Sequence, residues 1–197
     1  MKKIANESNA GSPAKTGSVL RLTTVALLSA LAVVIGLWRF PIFAAAPFLT
    51  VDFADVPIVL VTLLFGPLPG LGALFCVSAI QAFMLGGSGI IGFIMHMIAS
   101  GTMLFVVWAV WRTRRNMLTL VLGLIAGTLA MAVVMIPLNY LLTPLYTGAP
   151  VEAITQLLLP VLIPFNLIKA ASNCLLAGIF FRILRPFLKK QFPELID

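Results

Sequence analysis

Charged residues are scarce in this chain of 197 residues, since only 10% are Asp, Glu, Lys or Arg while 61% are hydrophobic. Soluble domains carry about 25% charged residues, so this composition excludes a soluble protein. A membrane-spanning helix needs about 20 apolar residues, and the length leaves room for about six of them and for no soluble catalytic domain. The sequence therefore predicts an all-α integral membrane protein with a single membrane domain.

Residues that carry chemistry are also few. The two cysteines, Cys76 and Cys174, have no metal-ligand or C-x-x-C spacing. The only histidine, His96, has no carboxylate in its own helix, and Ser78 and Ser100 have no visible partner. The sequence also lacks the G-x-x-x-x-G-K-[ST] motif that binds nucleotide phosphates. We therefore predict that the protein is not an enzyme, has no metal or cofactor, and depends on a partner for any active pumping.

The basic residues, which give a net charge of +7, are concentrated in three clusters. Loops on the cytoplasmic side carry an excess of Lys and Arg, so the clusters indicate topology and not a nucleic-acid site. Six spans would put both termini on the cytoplasmic side and the acidic loop with Asp52 and Asp55 outside. The clusters are Lys2, Lys3, Lys15 and Arg21, then Arg112, Arg114 and Arg115, then Arg182, Arg185, Lys189 and Lys190.

Three segments are expected along the chain: a disordered tail at 1–20, a six-helix membrane domain at 21–190 and a C-terminal tail at 191–197. Prolines and glycines at 66–70 should break the second span from the third. A long external loop at 39–55 could act as a lid, and a second loop should begin at Thr143. The spans are expected at 22–38, 56–66, 70–85, 90–111 and 118–142, with the last one ending at the basic tail.

The last span contains a polar stripe. Asn166, Lys169 and Asn173 are spaced i, i+3 and i+7, so they share one helix face. A lysine at the centre of a membrane helix costs about 2.5 to 3.5 kcal/mol, so the stripe should face the bundle interior or a wet cavity. Pro160 and Pro164 should bend the helix just before it.

Asn139, near the end of the preceding helix, should lie at a similar depth to Asn166. Two carboxamides and an ammonium suit a neutral, planar ligand that carries amide groups. No acidic residue lies deep in a span, which argues against a proton or cation pathway. Two structural roles remain open: Lys169 could pair with Asp52 or Asp55, and Asn173 could make an interhelical hydrogen bond.

Five segments together resemble a known family, the substrate-binding S component of energy-coupling factor (ECF) vitamin transporters, and specifically its riboflavin type, the RibU family. The similarity spans most of the chain beyond the tail, and the last segment is the most specific. The segments are Ala26-Leu-Leu-Ser-Ala30, Val51-Asp-Phe-Ala-Asp-Val-Pro57, Phe65-Gly-Pro67, Pro137-Leu-Asn139-Tyr140 and Ile163-Pro-Phe-Asn-Leu-Ile-Lys169.

This resemblance implies a multi-pass protein of a bacterial cell membrane that captures riboflavin, or its phosphate FMN, for uptake. Its partners would be a transmembrane coupling protein and two ATPase subunits. The coupling protein would meet Ala26 and Ala30 on the first helix. The implied substrate-binding residues are Asn139, Asn166 and Lys169, with Leu49, Thr50 and Asp52 of the first external loop closing over the ligand.

Two other functions stay open at this point. The ligand could be another vitamin such as pantothenate, whose carboxylate would explain Lys169 equally well. Alternatively, the chain could be a structural or assembly membrane protein in which Lys169 only pairs with an aspartate.

Overall fold

A computed structural model describes residues 13–44, 46–85 and 89–191 of the chain. These residues form a helical bundle with one short antiparallel strand pair in its first long loop. The elements are α1 Pro13–Ile35, β1 Phe40–Pro41, β2 Thr50–Val51, α2 Asp55–Phe65, α3 Pro67–Phe83, α4 Gly89–Trp111, α5 Met117–Thr147, α6 Val151–Leu157, a π-helical turn Leu158–Leu162 and α7 Ile163–Gln191.

The first helix begins earlier than expected. Because α1 starts at Pro13, the predicted boundary of a disordered tail at residue 20 is wrong. Proline is favoured in the first turn of a helix, where its missing N–H would have no partner in any case. The rest of the predicted tail, residues 1–12, lies outside the described residues, as do residues 192–197 at the other end.

Four helical segments among the described residues are long and apolar enough to cross a membrane: residues 18–35, 89–111, 117–147 and 151–190. The last of these joins α6, the π-helical turn and α7. The other two helices are shorter. All 11 residues of α2 are buried, and this helix packs against α1, α3, α4 and α7. It is therefore the centre of the bundle and not part of its lipid-facing wall.

The predicted break between α2 and α3 is confirmed at Gly66. Its φ of 91° is a left-handed conformation that glycine adopts without steric penalty, and Pro67 follows as the first residue of α3. The Arg21 guanidinium donates a hydrogen bond of 3.0 Å to the carbonyl of Phe65, the last residue of α2. A side chain of α1 thus satisfies one of the carbonyls that a helix end leaves unpaired.

The fifth helix is longer than predicted, since α5 continues through Pro144 to Thr147, where Gly148 caps it in a left-handed conformation. A proline removes only one backbone hydrogen bond of a helix. In an apolar bundle no water is available to hydrogen-bond the backbone, so the remaining helical hydrogen bonds are kept. The expected loop beginning at Thr143 is therefore wrong.

Helices α4 and α5 pack closely at Gly123, because a Cβ atom there would lie 2.9 Å from the carbonyl oxygen of Val107.

Candidate ligand-binding site

One cavity brings together all six residues predicted to bind substrate. Its volume is about 170 Å³, and its walls come from the first long loop, α3, α4, α5 and α7. The six predicted residues that line it are Leu49, Thr50, Asp52, Asn139, Asn166 and Lys169. The polar face of the last helix therefore points toward the bundle interior, as its residue spacing predicts.

A larger groove of about 720 Å³ lies between α5 and α7, but its lining is mostly aliphatic. Leu120, Leu124 and Leu175 are typical of its walls. A small-molecule site needs a few convergent polar groups to fix the orientation of its ligand, which the smaller cavity supplies and this groove does not.

Asn166 is held by the irregular turn that precedes α7. Its side chain is buried, and its amide nitrogen donates a 2.7 Å hydrogen bond to the carbonyl of Leu162. Leu162 belongs to the π-helical turn that contains Pro160, and this turn lies where a bend is predicted before the polar stripe. A carboxamide has two N–H donors and one oxygen, so this bond leaves Asn166 one donor and its oxygen for a ligand.

Asn139 on α5 is fixed in a similar way. Its amide nitrogen donates to the carbonyl of Met135 at 2.7 Å, and its oxygen accepts a 3.0 Å bond from the hydroxyl of Thr143. Thr143 also lines the cavity and was not predicted. The two bonds set the orientation of the carboxamide and leave it a second N–H donor.

Lys169 forms an ion pair across the cavity rim. Its Nζ lies 3.1 Å from the Asp52 carboxylate in the first long loop, so of the two partners considered Asp52 is the correct one. An ammonium has three donors, and Asp52 takes one of them. The same lysine therefore both ties the loop to α7 and faces the cavity.

A second bond anchors the same loop. Asn173 is fully buried, and its amide donates a 2.9 Å bond to the backbone carbonyl of Asp52. The predicted interhelical hydrogen bond of Asn173 is therefore wrong in its partner, because the amide bonds the loop and the Lys169 carbonyl of its own helix. The other Asp52 carboxylate oxygen accepts from the Ala54 amide at 3.0 Å, which shapes the loop just before α2 begins.

The sequence missed a buried polar network beside the cavity. Asp55 at the start of α2 lies 3.0 Å from His96 Nε2 through one oxygen and accepts from the Ser100 hydroxyl at 2.9 Å through the other. His96 Nδ1 lies 2.9 Å from the Ser78 hydroxyl. The conclusion that Ser78 and Ser100 lack partners is therefore wrong, because their partners lie on other helices. Neither this network nor any other part of the chain that the structure describes groups three His, Cys, Asp or Glu side chains as metal ligands.

The alanines predicted to meet a coupling protein lie on an exposed face of α1. Ala26 and Ala30 are both exposed, and so are the large apolar neighbours Leu22, Leu27 and Leu31. This helix is the most peripheral of the four long ones. The face is therefore open to lipid or to another protein.

Comparison with known proteins identifies the fold and the family. A model of the family described as "ECF transporter, substrate-specific component" matches residues 20–181. Riboflavin transporter RibU of Staphylococcus aureus (strain TCH60) is 32% identical over 176 residues, which cover 86% of this chain and 93% of that protein. Riboflavin transporter FmnP of Bacillus subtilis (strain 168) is 29% identical over 183 residues, covering 88% of this chain and 96% of that protein.

A solved structure of the S component of a bacterial ECF transporter superposes with a TM-score of 0.76 and 31% identity, covering 87% of this chain and 99% of that one. Both the sequence and the fold of this chain therefore match this family. The resemblance predicted from the five sequence segments is confirmed: the chain belongs to the substrate-specific components, or S components, of ECF transporters.

Proposed function

We propose that this S component binds riboflavin, with FMN as a related ligand, in the cavity between its first long loop, α3, α4, α5 and α7. The observation that carries the proposal is the convergence of Asn139, Asn166 and Lys169, each with hydrogen-bonding capacity left over. A flavin offers a uracil-like edge to such groups and a flat apolar ring to Phe48 and Leu49 on the loop. The named function of the relatives supports the same ligand.

Pantothenate is less well supported. Its carboxylate would be attracted by an unpaired ammonium, but Asp52 already compensates the charge of Lys169 at 3.1 Å. The neutral ring edge of a flavin can accept a further hydrogen bond from Lys169 without adding negative charge beside this ion pair.

The proposed arrangement in the membrane has six helical segments, with α6, the π-helical turn and α7 counted as one, and both termini on the cytoplasmic side of a bacterial cell membrane. The positions of the basic clusters support this orientation. At about 1.5 Å per residue, the 11 residues of α2 reach only about 16 Å, and this helix avoids lipid by being buried. The proposed partners are a coupling protein, docked at Ala26 and Ala30, and two ATPase subunits.

Binding of riboflavin to purified protein in detergent tests the ligand assignment. We expect saturable quenching of flavin fluorescence at far below millimolar concentration, and a loss of about 5-fold to 150-fold in affinity for Asn166→Ala. That range corresponds to about 1 to 3 kcal/mol for leaving buried polar partners unsatisfied.

Ser172→Ala is the matched control. Ser172 lies on the same helix, bonds to the Lys169 carbonyl and does not line the cavity, so its loss should leave affinity within about twofold. Millimolar or weaker riboflavin binding by the unmodified protein would reject the proposed ligand. Equal affinities for Asn166→Ala and the unmodified protein would reject the site.

A further inference from the structure

The aliphatic groove between α5 and α7 joins a basic hollow at one end. The groove has a volume of about 720 Å³, and Arg182 is the last residue of α7 to line it. A hollow of about 370 Å³, which we call the basic hollow, shares Met117 and Arg182 with the groove and adds Arg185, Pro186 and Lys189. An apolar channel and a concentration of positive charge are therefore continuous.

The charge of the basic hollow has no acidic counterpart in the part of the chain that the structure describes. Arg182 is exposed and has no hydrogen-bond or ion-pair partner among those residues. Arg185 donates a 3.3 Å bond to the carbonyl of Arg115, a neutral acceptor that leaves the charge of the guanidinium in place. None of the acidic residues in the described ranges lines the groove or the basic hollow; they are Asp52, Asp55 and Glu152. The basic hollow therefore favours an anion.

The groove is about as long as one leaflet of a bilayer. Its lining on α5 extends from Met117 to Leu129, which is about 18 Å at about 1.5 Å per residue. The hydrocarbon core of a bilayer is about 30 Å thick, so each leaflet contributes about 15 Å. An acyl chain whose headgroup lies beside Arg182 would therefore occupy the groove over most of its length.

A lipid suits this surface better than the coupling protein does. Helix α1, which carries the proposed docking residues Ala26 and Ala30, packs against α2 and α3, whereas the groove lies on α5 and α7. Lipid tails are as apolar as leucine, so the groove alone gives no preference for one lipid over another. The preference must come from the basic hollow, and basic pockets between membrane helices are typical sites for the headgroups of acidic lipids.

We propose that an anionic phospholipid binds here, with one acyl chain in the groove and its phosphate beside Arg182, Arg185 and Lys189. The proposed orientation of the chain places this lipid in the cytoplasmic leaflet, and the inference rests on that orientation for the leaflet alone. The lipid site shares no lining residue with the ligand-binding cavity, so a flavin and a lipid can be bound together.

Native mass spectrometry of the purified full chain tests the headgroup. The protein is titrated in detergent with phosphatidylglycerol or with phosphatidylcholine of identical acyl chains, and we expect one phosphatidylglycerol molecule to bind more tightly. Arg182→Gln should weaken phosphatidylglycerol about fivefold, the effect of one basic residue near an anionic headgroup, and leave phosphatidylcholine within about twofold. Arg114→Gln is the matched control, because Arg114 is exposed at the same end of the bundle and lines neither the groove nor the basic hollow.

Ala171→Phe tests the path of the acyl chain. Ala171 is exposed and is the residue of α7 that lines the groove farthest from Arg182. An aromatic ring there should fill the groove and weaken both lipids by similar factors. Ile183→Phe is the control, since it places a ring on the same helix outside the groove and should change neither affinity by more than about twofold.

Equal affinities of the unmodified protein for the two lipids would overturn the inference, as would an unchanged preference in Arg182→Gln or unweakened binding in Ala171→Phe. A protein dimer that Ala171→Phe dissociates would assign the groove to a second copy of the chain and overturn the inference as well. Riboflavin affinity should stay within about twofold in Arg182→Gln. A protein that binds phosphatidylglycerol as expected but no flavin would refute only the proposed function.

Discussion

The ion pair between Lys169 and Asp52 allows a structural role of the lysine to be separated from a ligand-binding role. The side chains are only 15% and 6% exposed, and the charged atoms lie 3.1 Å apart. Removing one partner of a buried pair typically costs about 3 to 5 kcal/mol, because the other charge stays buried without compensation. Lys169→Met and Asp52→Asn should therefore each destabilise the protein, whether or not Lys169 also binds a ligand.

The double variant Lys169→Met/Asp52→Asn distinguishes the roles. It removes both charges, and the asparagine oxygen can still accept the bond from the Ala54 amide. Because an uncharged pair of similar volume is often as stable as a buried ion pair, most of the stability should return. Riboflavin affinity should stay about 5-fold to 150-fold below that of the unmodified protein, since the ligand has still lost an ammonium donor.

Thermal unfolding in detergent measures stability for the four members of this cycle, and flavin titration in the same detergent measures affinity. Lys190→Met is the control, because it removes a lysine of the same helix at an exposed position outside the cavity. The reasoning would be refuted if the double variant recovered both the stability and the affinity of the unmodified protein. Lys169 would then be purely structural.

Two further predictions concern packing and partner docking. Gly123→Ala should lower the free energy of unfolding by about 1 to 3 kcal/mol, since the new methyl group would lie 2.9 Å from the Val107 carbonyl oxygen. Gly72→Ala, whose methyl group would have nothing within 4 Å, should raise the free energy of unfolding by up to about 1 kcal/mol. Thermal unfolding distinguishes them, and equal shifts would contradict the reasoning. Replacing Ala26 and Ala30 by Leu should keep flavin affinity but abolish copurification with the coupling protein, and intact copurification would reject this interface.

The sequence predicted helix faces well and helix partners poorly. The spacing of Asn166, Lys169 and Asn173 requires a common face in any helix, and the expense of a lysine in lipid requires that face to point inward. The first expectation depends on helix geometry and the second on the cost of a charge in lipid, so neither requires a known partner. The contact of Lys169 with Asp52 joins residues 117 positions apart, and only a list of possible aspartates could be written from the sequence.

The network around Asp55 shows the same limit more strongly. Its bonds to His96 and Ser100 span 41 and 45 positions, and each residue looks isolated within its own helix. Helical periodicity indicates which side of α4 is buried but not which helix covers it. The sequence places Asp55 in the external loop, and only its burial in the structure shows that the carboxylate must find partners within the bundle.

The position of Asp52 links loop closure to ligand binding. Asp52 holds the first long loop against α7 through Lys169 and through Asn173, and its neighbours Leu49 and Thr50 line the cavity. Because Asp52 uses only one of the three ammonium hydrogens, the proposed ligand can bind Lys169 without breaking the bond that holds the loop. In this mode the ligand adds contacts to the closed loop and so stabilises it over an open one. Under the proposed function, these contacts supply the free energy of capture, and the proposed ATPase subunits would supply that of release.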